Sequence, residues 1–198
     1  MSAHILSDRD LDTIFRSART YNAWADTPVT RVQMQAIYDL ARMGPTSANC
    51  SPARFLWCES DAAKARLADC VSGANRPKVL AAPVTVIVGM DIAFYEKLPE
   101  LFPHDPTARS WFEGKPDHIR ETALRNSSLQ GAYLIMAARA VGLDTGPMSG
   151  FDKSKVDAAF FAGTTVEANF ICSIGHGATE RLFRRLPRLS FEEACEIL

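Results

Sequence analysis

The 198-residue chain reads as a single α+β domain, with helices interspersed among at least three apolar strands in the pattern common to α/β and α+β folds. Three observations carry this. Helical-period stretches open on side-chain caps, at Ser7 with Asp10, Thr30 with Gln33 and Ser190 with Glu193. Short apolar runs at 55–58, 84–88 and 170–174 have the length of strands. No Pro/Gly/Ser-rich linker divides residues 1–198.

Behind Ser7, Leu11, Ile14, Phe15 and Ala18 recur at helical spacing, which predicts a first helix from about Asp8 to Arg19. Arg16 and Arg19 then stand near its C-terminal end, where the helix dipole favours cations. A second helix carries Ile37, Leu40 and Ala41 on one face and stops at Gly44. The loop that follows reads Pro45-Thr46-Ser47-Ala48-Asn49-Cys50-Ser51-Pro52. Its prolines stiffen the chain, while Thr46, Ser47, Asn49 and Ser51 bring hydroxyls and an amide together. Such a loop can hold a polar, flat group, or it can be ordinary turn chemistry after a helix end.

A strand at 55–58, a helix at 62–70 and a central strand at 84–88 come next. Between the last two, Asn75 and Lys78 lie three apart, so one helical turn would aim an amide and a point cation the same way. Residues 99–116 mix Leu101, Phe102, Trp111 and Phe112 with prolines, His104 and Arg109 without a period. That reads as a flap over a substrate or as surface packing. The helix from about His118 to Val141 has broad apolar coverage and should be central, even intersubunit. After Gly142 the chain turns into Gly146-Pro147-Met148-Ser149-Gly150-Phe151-Asp152. Glycine lets main chain approach a flat ligand here, although the segment would equally serve to cap the next helix through Asp152. Arg181, Arg184, Arg185 and Arg188 cluster in a chain of balanced charge, and guanidinium forks match phosphate oxygens.

Composition excludes several classes. A net charge of -1 and a pI near 6.4 give no basic field for nucleic acid or an anionic membrane. The start of the chain lacks a leader-like apolar core, and no stretch approaches the ~20 apolar residues of a membrane span, so a soluble cytoplasmic protein is expected. Five cysteines without a C-x-x-C pair indicate neither zinc nor a disulfide framework, and the four histidines have no metal spacing. Gly175-His176-Gly177-Ala178-Thr179-Glu180 resembles a broken dinucleotide fingerprint with too little chain after it for a βαβ unit.

The 45–52 loop resembles the P-S-x-x-N-x-Q-P loop of the FMN-dependent nitroreductases, with Ser51 where many members carry Gln. Three further segments resemble that family in order: Asn75-Arg76-Pro77-Lys78-Val79-Leu80, residues 142–152, and Arg184-Arg185-Leu186-Pro187. The resemblance covers nearly the whole chain. It implies a nitroreductase-like fold, a central mixed sheet flanked by helices, in an intertwined homodimer with FMN at its interface. NADH or NADPH would be the electron donor, in ping-pong alternation with a small-molecule aldehyde or other acceptor.

Residue by residue, the resemblance implies FMN contacts from Arg16, Ser17 and Arg19, and from Pro45, Thr46, Ser47, Asn49 and Ser51 of the partner-reaching loop. It adds Asn75, Lys78, Asn126, Pro147, Met148, Ser149 and Gly150, with a main-chain N–H of Ser149 or Gly150 toward flavin N5. Arg185 takes the place of the phosphate arginine, with Arg184 beside it. No side-chain acid or nucleophile is needed for hydride transfer to the flavin, so no catalytic side chain is assigned. The wording of 44–54, 101–104, 108–112 and 186–195 resembles one branch, the malonic semialdehyde reductases of the bacterial Rut pyrimidine-degradation pathway. That branch implies reduction of malonic semialdehyde to 3-hydroxypropionate, with Arg109, and Arg54 behind it, as the cation for the substrate carboxylate. A general nitroaromatic or quinone reductase, and a flavin-binding protein without turnover, are the alternatives.

Overall fold

The computed structural model describes residues 4–198; Met1–Ala3, part of the chain start read above for a leader, lie outside them. Four strands form one sheet in the order β1-β2-β4-β3: β1 (Ala53–Cys58), β2 (Val84–Asp91), β3 (Asp144–Met148) and β4 (Val166–Gly175). All three pairings are antiparallel, in registers such as Phe55↔Val88, Ile87↔Ile171 and Pro147↔Cys172. The sheet is therefore antiparallel throughout rather than mixed, since short connections and long crossovers alike return each strand against its neighbour; the isolated parallel bridge Thr20↔Thr145 lies outside the named strands.

Alternation along β2 divides the core in two. Val84, Val86 and Val88 face one cluster with Ile37, Leu134, Ala138 and Leu143, beneath the helices α2 (Arg31–Ala41) and α6 (Pro116–Ala140). Ile87 faces the other, with Leu67, Val79, Val156 and Ile171, beneath α3 (Asp61–Ala68), α4 (Arg76–Ala81) and α7 (Lys153–Phe160). The sheet is therefore a middle layer, and β2 is buried over almost its whole length. The polar pair it does bury, Thr85 with Ser173, is satisfied by a 2.9 Å hydrogen bond across the ladder.

The expected capping boxes are present at α1 (Asp8–Leu11), α2 and α8 (Phe191–Ala194), and Asp152 caps α7. Three local expectations change. The first helix is α-helical only over α1 and then widens into a π turn, Asp12–Arg16, closed by Ser17 N–H donating to the Asp12 carbonyl at 2.8 Å. The 144–148 stretch is a strand, because β3 lies at the sheet edge, where Pro147 breaks no interior ladder. The aperiodic 99–116 segment, with the short helix α5 (Leu98–Leu101), seats Ala108 and Phe112 in a satellite core with Cys50, Met90 and Phe94. Among the described residues no helix is long and apolar enough to cross a membrane.

Candidate functional site

Arg19, Lys78, Arg139, Arg184, Arg185 and Arg188 surround a cavity of about 420 Å³ whose lining includes no carboxylate. Gly146, Pro147 and Met148 of β3 also line it. Gly146 explains how the N-terminal segment reaches the site: a Cβ there would stand 2.5 Å from the Tyr21 carbonyl oxygen. Without it, Tyr21 N–H donates to the Thr145 carbonyl at 3.0 Å, and Arg19 is held beside the strand. The far end of the chain closes the cavity reciprocally. Arg185 Nη2 donates to the Ala18 carbonyl at 2.9 Å, and the Arg19 guanidinium donates to the Phe183 carbonyl.

Arg139, in the last turn of α6, is the cation that sequence reasoning missed. Its Nη1 donates to the Ile14 carbonyl at 2.9 Å, while its Nε is buried with no hydrogen-bond partner. Burial pushes its guanidinium below the ordinary value. The available signal was a cation directly after the apolar run Leu134-Ile135-Met136-Ala137-Ala138.

Lys78 joins the cavity from α4, which Asn75 precedes at the N-cap. Asn75 Nδ2 donates to the Gly150 carbonyl at 3.1 Å, and a Cβ on Gly150 would meet that nitrogen at 2.7 Å. Ser149 and Gly150 line a second hollow of about 500 Å³ with Ser72 and Asp152. Ser17 lines a small hollow of about 220 Å³ that shares Ala18 and Arg139 with the main cavity. Arg19, Lys78, Pro147, Met148, Arg184 and Arg185 are thus brought together, with Ser17, Asn75, Ser149 and Gly150 adjoining. Arg16 stays outside, its guanidinium paired with Asp8 at 2.8 Å and Asp12 at 2.7 Å.

Pro45, Thr46, Ser47, Asn49 and Ser51 lie elsewhere. Their loop is attached through Asn126 and Gln130, whereas the cavity sits at Arg139. By helical rise Asn126 stands about 20 Å and Gln130 about 14 Å from Arg139 along α6. The loop carries a 3₁₀ turn at Ser47–Asn49, and Ala48, Asn49 and Ser51 adopt left-handed φ values of 48°, 50° and 39°. Asn126 is fully buried and its amide is already engaged, accepting from Ser47 N–H at 2.8 Å and donating to the Thr122 carbonyl at 2.9 Å. It stands behind the loop rather than at its surface. Asn49 Nδ2 donates to the Leu101 carbonyl at 2.9 Å, joining the loop to the segment that carries Arg109. Arg109 itself is paired with Glu96 at 2.9 Å and Glu113 at 3.4 Å. Cys50 is buried, and that burial pushes its thiol up to about 11, so it is no thiolate nucleophile.

The sequence pattern of the nitroreductase family matches residues 16–176. The chain belongs to the nitroreductase family. A Burkholderia lata protein, provisionally named an NADH dehydrogenase/NAD(P)H nitroreductase, is 59% identical over 192 residues, covering 97% of this chain and 98% of its own. HadB of Ralstonia pickettii, with the same provisional name, is 57% identical over 189 residues, covering 94% and 96%. Among crystal structures, ydfN of Bacillus subtilis superposes with a TM-score of 0.87 at 20% identity, covering 97% of this chain and all of that one. An Exiguobacterium sibiricum nitroreductase solved in complex with FMN gives 0.85 at 20% identity, with both chains fully covered. Arg184, Arg185 and Arg188 lie beyond the stretch matched to the nitroreductase family, yet they line the same cavity as Arg19 and Lys78 from within it.

Proposed function

We propose that the chain is an FMN-dependent NAD(P)H oxidoreductase acting as a two-fold homodimer. The observation that carries this reading is the cavity of cations without a lining carboxylate beside the 147–150 backbone. A terminal phosphate carries up to two negative charges and is matched by guanidinium forks, which Arg19, Arg184 and Arg185 would supply. The buried, unpartnered Nε of Arg139 is a donor of the kind a phosphate oxygen satisfies. Lys78 and Asn75 would hold polar edges of the flavin, and the main chain at Ser149 and Gly150 would approach its ring. When bound, FMN supplies a carrier that takes hydride from NADH or NADPH and passes it to an acceptor in the same pocket. The separation of the 45–52 loop from this cavity supports a shared site, since a two-fold axis lets each copy complete the other's.

For the acceptor, the branch wording supports malonic semialdehyde, reduced to 3-hydroxypropionate in pyrimidine degradation, with Arg109 binding its carboxylate. A second reading, a general nitroaromatic or quinone reductase, is favoured by one observation. Arg109 is already paired with Glu96 and Glu113, and Arg54 with Asp91 at 2.6 Å, so neither cation is free of carboxylates. Purified protein should be yellow and release FMN, not FAD, on denaturation; colourless protein that takes up no FMN would refute the cofactor. Semialdehyde-dependent oxidation of NADH or NADPH supports the first acceptor. Turnover confined to nitroaromatics or quinones supports the second.

A further inference from the structure

Three side chains from one face of α6 hold the 45–53 stretch. Asn126 Oδ1 accepts from Ser47 N–H at 2.8 Å, Gln130 Oε1 accepts from Ala53 N–H at 2.8 Å, and Tyr133 Oη donates to the Pro45 carbonyl at 3.1 Å. Positions 126, 130 and 133 follow the i, i+4, i+7 repeat of a helix face, so a rigid rod presents the three contacts in line. Gly44 admits the Tyr133 ring, for a Cβ at that position would come within 2.1 Å of it. Between these attachments stand Ala48, Asn49 and Ser51, all with left-handed φ. Non-glycine residues are disfavoured there, asparagine least, so an unattached loop would relax to commoner backbone angles. Within the loop, Ser51 N–H donates to Thr46 Oγ1 at 3.1 Å, but that bond ties the loop only to itself.

We infer that Asn126, Gln130 and Tyr133 are positioning residues that hold the 45–52 loop in its left-handed conformation, the one in which it completes the flavin site of a second copy. This rests on the shared-site reading above. The three residues need no contact with flavin to control its binding. Their effect is to pre-set the loop, so that FMN binding does not have to order it.

The experiment compares Gln130→Met, Tyr133→Phe and their combination with Gln130→Glu, which keeps the accepting oxygen. In the purified dimer, flavin fluorescence gives the FMN Kd and hydrogen–deuterium exchange reports the 44–53 peptide. Losing one net hydrogen bond corresponds to about a three- to tenfold change, so each single variant should raise Kd by that factor and the double variant by more. Exchange at 44–53 should quicken in step while exchange in β2 and β4 keeps its wild-type rate, and Gln130→Glu, whose carboxyl oxygen can still accept from Ala53 N–H, should bind FMN more tightly than Gln130→Met. Quickened exchange with unchanged Kd overturns the inference, and so does unchanged exchange. Ser47→Arg, which obstructs the loop's exposed surface, separates the two failures. If it abolishes FMN binding while the α6 variants do not weaken it, the positioning role alone is wrong; if it too leaves Kd unchanged, the shared-site reading falls.

Discussion

Arg185 donates to the Ala18 carbonyl at 2.9 Å across 167 positions of sequence, so the cation-lined cavity forms only where the two ends of the chain meet. Arg185 is then both a lining cation and a tie for the tail that carries Arg184 and Arg188. Arg185→Ala should weaken FMN retention about tenfold or more, one charge-assisted contact being worth roughly 1.5–3 kcal/mol. Equilibrium dialysis of FMN against the variant checks this, and wild-type affinity would remove Arg185 from the site.

The cysteines should divide sharply by reactivity. Cys50, Cys58, Cys70 and Cys172 are buried and Cys195 is exposed. Burial pushes the Cys50 thiol up to about 11, so it is neither accessible nor ionised at pH 8. Iodoacetamide at that pH should label Cys195 alone and leave reductase activity intact, as peptide mass mapping would show. Labelling of Cys50 in the folded protein, with loss of activity, would contradict its placement.

Acid stability should depend on Glu167, which joins α6, α7 and β4. Its carboxylate meets Lys153 at 2.9 Å and also pairs with Arg120. Burial alone would raise its carboxyl, but the hydrogen bonds and charges of Lys153 and Arg120 outweigh that and hold it below its ordinary 4.5. A lowered folded value means that the stabilisation is complete above the unfolded value and is lost as pH falls through the folded one. Glu167→Gln should therefore flatten the fall of the thermal midpoint below about pH 4.5. An unaltered acid limb would show that the cluster contributes nothing.

The substrate carboxylate offers another test. If Arg109 binds it, Arg109→Ala should raise KM for malonic semialdehyde severalfold with kcat little changed, because uniform binding is lost. Nitroaromatic reduction should be nearly unaffected. Equal losses with both acceptors would assign Arg109 to the fold, through Glu96 and Glu113.

Much of this was legible in the sequence where local chemistry decides. The capping boxes at Ser7, Thr30 and Ser190 and the apolar run in β2 required no tertiary information. What escaped was set by distant partners. Strand β3 carries Gly146 and Pro147, which read as a turn until β4 pairs with it. Arg16, read as an FMN contact, is a local case instead: Asp12 and Asp8, one and two turns back, engage it. Asn126 read as a ligand amide, yet its burial behind the loop depends on how α6 packs, which spacing along one helix does not reveal. Arg139 went unread because its neighbours in the cavity come from both ends of the chain.

Subunit mixing tests most directly whether two copies share each flavin site. Arg185→Ala damages the cavity and Ser47→Arg damages the loop, and at an FMN concentration that fills the wild-type site but lies below the raised Kd of either variant, each homodimer should have little activity. In a mixed dimer with a shared site, one pocket receives both lesions and the other receives neither. After dissociation, random reassociation and reconstitution with FMN, the mixture should regain about a quarter of wild-type activity, since half the dimers are mixed and half their sites intact. No recovery, with mixed dimers demonstrated by mass, would mean that cavity and loop serve the flavin within one subunit and would contradict the account.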